Sequence, residues 1–514
     1  MSKTSRIKPI HLLLLISFLI RAFLAGWMEL GNDEVYYWTY AMFPDWSHFD
    51  HPGMVGWIIQ LFSLNLLFDS EFFIRLSSVV FMTLNTWIMY QIGKELRDEA
   101  TGFRAALLYT ASVYAFVITG IFIMPDTPLC LFWLLAFWMI LKPHNNQHLL
   151  LFGLFAGLAM LSKYSGIFLW IGFGLYLLCY ERKTLQNPIL YVSLIITALC
   201  CFPILYWNIQ NDFISFRFHS GRVGIFESFS PISLITELVG EFGYNNPVNY
   251  VIALLAVIAS FRKRLSLPAS SQQLILLTAL PMIGLFLLFS MTRPTLPHWS
   301  GPAFILLILL SANWMENLHI KTQKKLIVSS ISILILILVI GVVEIKTGFI
   351  PLDHHTEERE VGKDDFTLDL YGWRQLGQKF ADVRAREIAA GEMSENDAII
   401  GNNWFPTANI DYYVGRPLGL KTLGYGPLDH IHKYQWINEK RGGFEKKANY
   451  WYLADSHFFI DPEKAYAYTN FKKIRLVDVI PIKRNGKTVR NIFVYECKSL
   501  VYGPPTLEEV RGKR

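Results

Sequence analysis

Blocks of about twenty apolar residues recur along this chain, among them 10–26, 189–206 and 326–343, and each is long enough to cross a hydrocarbon core. Of the 514 residues, 53% are of the hydrophobic class and only 17% are charged, too few charges to cover a soluble surface of this size. A polytopic membrane protein is expected. Intrinsic disorder, a fibrous repeat and a disulfide-stapled secreted domain are excluded with it. The formal net charge of +6 is small for the length and does not point to nucleic acid. Cys130, Cys179, Cys200 and Cys201 lie in apolar blocks and Cys497 stands alone, so neither metal-ligand spacing nor a disulfide framework arises.

Hydropathy places eleven spans, at about 10–28, 72–92, 105–122, 128–141, 149–162, 166–180, 188–206, 244–260, 273–291, 301–315 and 326–345. With a cytoplasmic N-terminus, the cytoplasmic segments carry Lys3, Arg6 and Lys8; Lys94, Arg97 and Arg104; Lys142; Arg182 and Lys183; Arg262, Lys263 and Arg264; and Lys321, Lys324 and Lys325. The segments on the other side carry only Lys163, Arg217, Arg222 and Arg293, a strong positive-inside asymmetry. A cleaved signal peptide is the rival for the first block, but Trp27-Met28-Glu29 is a poor cleavage context. The expected organisation is a transmembrane domain over 1–345, with a first external loop at 29–71, followed by an α/β domain at 346–514 outside the cytoplasm. In that second part, 373–390 has helical periodicity, while 398–401, 450–453 and 492–497 read as strands and 484–487 as a hairpin turn.

The loop 29–71 holds Glu29, Asp33, Glu34, Asp45, Asp50, Asp69 and Glu71, has no Lys or Arg, and is dense in Tyr and Trp. Carboxylates held in an interfacial aromatic loop without a counter-charge have raised proton affinity and make general bases. Asp45, Asp69 and Glu71 fit plain solvated positions. Asp33-Glu34 opens a helix-like run, where one of the two can cap the helix and Asp33 is favoured for catalysis. A second acid, Asp126, sits between Pro125 and Pro128 at the mouth of two spans, where it can cap a helix or face a functional cavity. External cations are few. Lys163 precedes Tyr164 after a span, and Arg293 and His298 lie in the Pro-rich turn 292–299. A lipid-linked phosphate or the acidic loop would compensate them, the alternative being interfacial snorkelling. His51, in Asp50-His51-Pro52, can contact phosphate; a divalent site from Asp50, His51 and His298 has no spacing rule behind it, and no metal site is assigned.

Together the Asp33-Glu34 pair, the segment 49–57 with His51-Pro52, Asp126, and Pro297-His298-Trp299 followed by Gly301-Pro302-Ala303 resemble the GT-C glycosyltransferases that use polyprenyl-phosphate sugars. The nearest groups are the protein O-mannosyltransferases and the bacterial lipid A aminoarabinose transferases. The resemblance implies a GT-C-like membrane fold in the inner (plasma) membrane. It also implies a polyprenyl-phosphate sugar donor and a hydroxyl acceptor on a glycolipid such as lipid A or on a protein. Asp33 would be the general base, with Glu34 beside it, and Asp126 would position donor or acceptor. Asp50, His51, Lys163, Tyr164, Arg293 and His298 would line the substrate site. The aminoarabinose transferases have a lysine where His51 falls, which leaves the phosphate charge to Lys163 and Arg293. Direct displacement implies inversion, and no cofactor is required, a divalent cation being optional. The alternatives are a transporter or flippase of a lipid-linked or anionic substrate and an oligosaccharide polymerase or ligase; no paired interrupted halves favour the transporter.

Overall fold

The computed structural model describes residues 8–221, 228–460 and 470–512; Lys3, Arg6 and Arg222 lie outside them. The chain forms two compact units, one of 1–27 and 44–337, the other of 28–43 and 338–514. The first holds α1 (Pro9–Trp27), α3 (Met54–Phe62), α4 (Glu71–Leu96), α5 (Glu99–Ala111), α6 (Asp126–Ile140), α7 (Asn146–Ser162), α8 (Phe168–Tyr180), α9 (Pro188–Gln210), α10 (Ile214–Gly221), α11 (Pro231–Tyr244), α12 (Pro247–Phe261), α13 (Ala269–Ser290), α14 (Gly301–Trp314) and the start of α15 (Ile320–Thr347). The second holds α2 (Asn32–Met42), the end of α15, α16 (Trp373–Ala389), α17 (Trp404–Ile410), α18 (Leu428–Ile431), α19 (Tyr434–Lys440) and α20 (Leu507–Gly512) around one sheet.

All eleven apolar blocks are helical, but they are not equal. By length and composition α1, α4, α9, α13 and α15 can each cross a membrane, and α11 with α12, bent by 102° at their junction, would make a sixth crossing. The apolar stretches at α6, α7 and Tyr164–Tyr180 are of 10–17 residues. In the block expected at 105–122, α5 ends at Ala111 and a π-helical turn, Tyr114–Ile118, follows. Proline stands in the first turn of α9, α11, α12 and α14, where its missing N–H is no loss.

The core of this unit forms around α14, which is apolar on every face and buried from Gly301 to Asn313. Trp133, Phe137, Phe152 and Phe173 pack with its Ile305, Leu306 and Leu309. Small residues set how closely helices approach. A Cβ on Gly153 of α7 would lie 2.3 Å from the Ser193 carbonyl oxygen of α9, and one on Gly157 would lie 2.6 Å from Cys200 Cβ. This Gly-xxx-Gly face also lets Thr197 donate a hydrogen bond to the Gly153 carbonyl at 2.7 Å.

In the second unit the sheet order is β2-β1-β3-β5-β4, from β1 (Ala398–Gly401), β2 (Thr422–Gly424), β3 (Tyr450–Asp455), β4 (Phe471–Arg484) and β5 (Lys487–Leu500). β1 pairs parallel with β2 and β3, while β5 runs antiparallel to β3 and β4. The turn between β4 and β5 is Asn485-Gly486, both with positive φ, the geometry a two-residue hairpin requires. The strands expected from sequence are β1, β3 and the centre of β5, and the expected helix is α16. β2 and β4 are additional.

Gly153→Ala should destabilise the purified protein by about 1–3 kcal/mol, since helix backbones must move apart. Gly174→Ala, where a Cβ meets nothing within 4 Å, should be neutral or stabilising by up to about 1 kcal/mol. Thermal unfolding of the two variants in detergent checks the contrast.

Candidate active site

Asp126 opens α6, yet its side chain makes no capping bond. Thr127 closes the preceding turn instead: its hydroxyl donates to the Thr119 carbonyl at 3.2 Å and accepts from the Met124 N–H at 3.3 Å. The Asp126 carboxylate turns into the bundle. Oδ1 accepts from the Tyr114 hydroxyl at 2.9 Å and Oδ2 from Lys163 Nζ at 2.7 Å. Both charges are out of solvent, with Asp126 at 1% and Lys163 at 9% exposure, so the lysine is an ion-pair partner and not a snorkelling side chain. The Tyr114 ring is located from the other side. A Cβ on Gly301 would fall 2.3 Å from Tyr114 Cζ, so only glycine at the start of α14 leaves room for the ring. Lys163 itself stands in extended conformation at the end of α7, which swings its side chain off the helix axis.

Two histidines stand in the electric field of this pair. Burial pushes His298 down to about 4, with Lys163 lowering it further and Asp126 opposing. Burial likewise takes His51 down to about 4; Asp50 opposes, and Lys163 and His219 add to the lowering. Both imidazoles are therefore neutral near pH 7. The loop that carries His51 is stitched locally: Ser47 bridges to Pro52, and the His48 N–H donates to the His51 carbonyl at 3.1 Å. Trp57 Nε1 donates to the Asp45 carbonyl at 3.2 Å. Gly53 is required there, because a Cβ would stand 2.9 Å from the same oxygen. α10 fastens the loop further. Ser215 donates to the His48 carbonyl at 3.0 Å, and His219 Nε2 lies 2.8 Å from the Asp50 carbonyl, with the Tyr164 ring 5.2 Å from that imidazole.

The turn bearing His298 is held from α11. Thr295 donates to Glu237 at 2.7 Å and Ser300 to Glu241 at 2.7 Å, both carboxylates being fully buried. Gly240 lies between them, and a Cβ there would run into Pro297 at 2.1 Å.

Of the residues expected from sequence, Asp126, Lys163, His51, Asp50, Tyr164 and His298 thus belong to one neighbourhood of the first unit. Arg293 stands in the turn after α13, its N–H bonded to the Phe289 carbonyl at 3.1 Å. Asp33 and Glu34 belong to the second unit, in the first turn of α2; Glu34 accepts the Gly31 N–H at 2.9 Å and caps that helix, while Asp33 is exposed. Sequence reasoning missed Tyr114, Glu237 and Glu241. The one readable signal was the i, i+4 spacing of the two glutamates in an apolar helix. Among the described residues, the one group of three or more ligand-type side chains compact enough for a metal is Asp353, His355 and Asp364 in the second unit. Its Asp353 is already engaged by His355 at 2.8 Å and by the Gly362 N–H at 2.8 Å.

Known proteins resemble this chain in sequence and fold. A family model described as dolichyl-phosphate-mannose-protein mannosyltransferase matches residues 50–207, the stretch that contributes His51, Asp126 and Lys163. ArnT from Cupriavidus metallidurans superposes in its apo state with a TM-score of 0.62 at 11% identity, over 94% of this chain and 97% of that one. Its structure bound to undecaprenyl phosphate gives 0.65 at 12% identity, over 95% and 97%. The chain has the GT-C glycosyltransferase fold. In that fold the chain is helical, with several apolar helices and a sheet domain at its C-terminal end. Among curated proteins, the lipid A galacturonosyltransferase RgtD of Rhizobium johnstonii is 23% identical over 301 residues, 57% of this chain. The match spans 62% of that relative's length.

Removing one member of the buried pair strands the other. Lys163→Met should destabilise the protein by about 3–5 kcal/mol, and adding Asp126→Asn should recover much of that loss, a coupling that a thermal-unfolding double-mutant cycle measures. The histidines set a pH dependence. Their folded values of about 4 lie below the ordinary ~6.5, so the stability they confer is complete above ~6.5 and is lost as pH falls toward 4. His298→Gln should flatten that slope in a melting series from pH 7 to 4.

Proposed function

We propose that this protein is an integral-membrane glycosyltransferase that moves a sugar from a polyprenyl-phosphate donor to a hydroxyl acceptor at the external membrane face. The observation that carries the proposal is the buried Lys163–Asp126 pair flanked by neutral His51 and His298 within a GT-C fold. Three likenesses support it: the mannosyltransferase family model over this stretch, an ArnT structure solved with undecaprenyl phosphate, and a relative named for sugar transfer to lipid A. That last name favours a glycolipid acceptor over a protein.

In the proposed reaction Asp33 takes the proton of the acceptor hydroxyl, and the oxygen attacks the anomeric carbon with inversion. The bond from that carbon to the phosphate oxygen breaks, and the lipid phosphate leaves with the bonding electrons. Lys163, with Arg293, would answer the negative charge that develops on it. Asp126 would orient Lys163, and Asp50, His51, Tyr164 and His298 would line the donor. His51 and His298 would serve as neutral hydrogen-bonding groups. No nucleotide is bound, and no glycine-rich phosphate loop is needed. Residues 1–345 would form the membrane catalytic domain and 346–514 the external domain, with the N-terminus in the cytoplasm of an inner-membrane protein.

Asp33→Asn should lower transfer by a factor of about 10²–10⁴ in a folded, inserted sample. Mass spectrometry of envelope glycolipids and glycoproteins, with and without the protein, reads both the added sugar and its recipient. Unchanged masses would remove the reading, and full activity of Asp33→Asn would remove the assignment of the base.

A further inference from the structure

α2 has only eleven residues, too few for an isolated helix to persist in water, so its orientation is imposed from outside. Its first turn carries Asp33 and Glu34; its last turn carries no basic residue, and Phe43 after it is not in the left-handed conformation that closes many helices. The carbonyls at that end are taken by a residue nearly four hundred positions on. Lys433, buried at the junction of α18 and α19, donates from Nζ to the Thr39 carbonyl at 3.1 Å and to the Phe43 carbonyl at 2.8 Å. The ammonium also lies 4.3 Å from the centre of the Tyr40 ring. The Lys433 N–H donates to the Tyr36 hydroxyl at 3.3 Å, and the Tyr36 ring packs on Trp404 at 4.9 Å.

The other end is fixed as well. The Leu30 N–H donates to the Tyr413 hydroxyl at 2.6 Å, and the Glu29 carboxylate accepts the Trp373 N–H at 2.8 Å, which places it over the first turn of α16. All of these residues lie in the second unit. A cation at the C-terminal end and carboxylates at the N-terminal end both complement the helix dipole. The charge therefore belongs where it is, and a neutral side chain would not replace it fully.

We propose that Lys433 is a positioning residue for the transfer reaction: by clamping the C-terminal end of α2 it sets where the Asp33 carboxylate at the opposite end lies. The inference rests on the proposed role of Asp33 as base. With the N-terminal end tied through Leu30 and Glu29, losing the clamp lets α2 pivot near that end and re-aims the Asp33 carboxylate, and a misplacement of about 1 Å at a reacting group costs on the order of 10²-fold in rate. The Lys433 ammonium is taken up by the α2 carbonyls and the Tyr40 ring. The sheet core, built from Ile400, Leu423, Tyr452, Phe493 and Tyr495, does not include it, so losing the clamp should leave the domain folded.

The test uses the full-length protein in detergent with a polyprenyl-phosphate sugar and an acceptor lipid, and compares Lys433→Met, Lys433→Arg and Asp33→Asn. Lys433→Met should lower kcat by about 10- to 100-fold per folded molecule, with the donor KM within about twofold and the melting temperature nearly unchanged. Lys433→Arg, which keeps the charge and the donors, should recover most of the rate. If Lys433→Met misfolds, Lys433→Gln, which keeps a neutral NH₂ donor group, should show an intermediate kcat. An unchanged kcat in every folded Lys433 variant, or a loss that only tracks the unfolded fraction, overturns the proposal. If Asp33→Asn is inactive while Lys433→Met is fully active, the positioning role alone fails. If Asp33→Asn is active, the assignment of the base fails first.

Discussion

A lysine and an aspartate that share one buried contact constrain the first unit more than any other interaction in it. Neither charge could be desolvated alone, since the penalty of several kcal/mol per ion is offset only by a partner at hydrogen-bonding distance. That requirement fixes the end of α7 against the start of α6 and brings Tyr114 in as the third member. Tyr114 then fixes α14, because its ring fills the space that Gly301 leaves open. The same pair acts on His51 and His298 with opposed signs, Lys163 lowering and Asp126 raising their proton affinity, while burial removes their charge. The apolar core supplies bulk stability, but it does not choose which polar groups meet; the ion pair does.

The second unit solves a different problem. A short, acidic, aromatic helix must be held still without a core of its own, and the sheet domain does this with backbone bonds at both ends and stacked rings in between. Tyr36, Trp404 and His432 form a continuous aromatic contact, with Trp404 and His432 stacked at an interplanar angle of 16°. Asp369 illustrates the electrostatic setting. Burial pushes its carboxyl up to about 6, partly opposed by hydrogen bonding from Asn32, the residue just before Asp33. Glu29, Leu30 and Asn32 are thus each bonded by residues of the C-terminal domain.

What could be read in advance follows from how local each signal is. Apolar blocks are local, so every expected span is helical, and the Asn485-Gly486 hairpin was legible from two residues. Strand β4 was not, because Lys472, Lys473, Arg475 and Pro481 dilute its alternation; those residues mark it as the outer strand of the sheet, half exposed along its length. β2 is three residues long and carries no pattern at all. In the site, Asp126 and Lys163 were legible because charge is rare in apolar surroundings. Tyr114 was hidden, since an aromatic residue in a membrane protein is unremarkable until Gly301 is known to face it. The span expected at 105–122 was overestimated, because α5 gives way to a π turn that average hydropathy smooths over, and α11, which meets α12 at 102°, was not expected.

On the proposed reaction, the ion pair also decides how the donor can bind. Lys163 already answers one anion, and an arriving phosphate presents a second, so the ammonium would hold both Asp126 and phosphate between them. With His51 and His298 neutral and Lys163 paired to Asp126, the site would offer phosphate no excess positive charge beyond that of Arg293. It would bind it by donors already oriented, which carries little reorganisation penalty at the moment of bond cleavage. A site so balanced gains most as charge builds on the leaving oxygen and least from the resting diester. Binding of that kind serves the transition state better than the ground state, and it lets the spent lipid phosphate leave once its proton balance with the surroundings is restored.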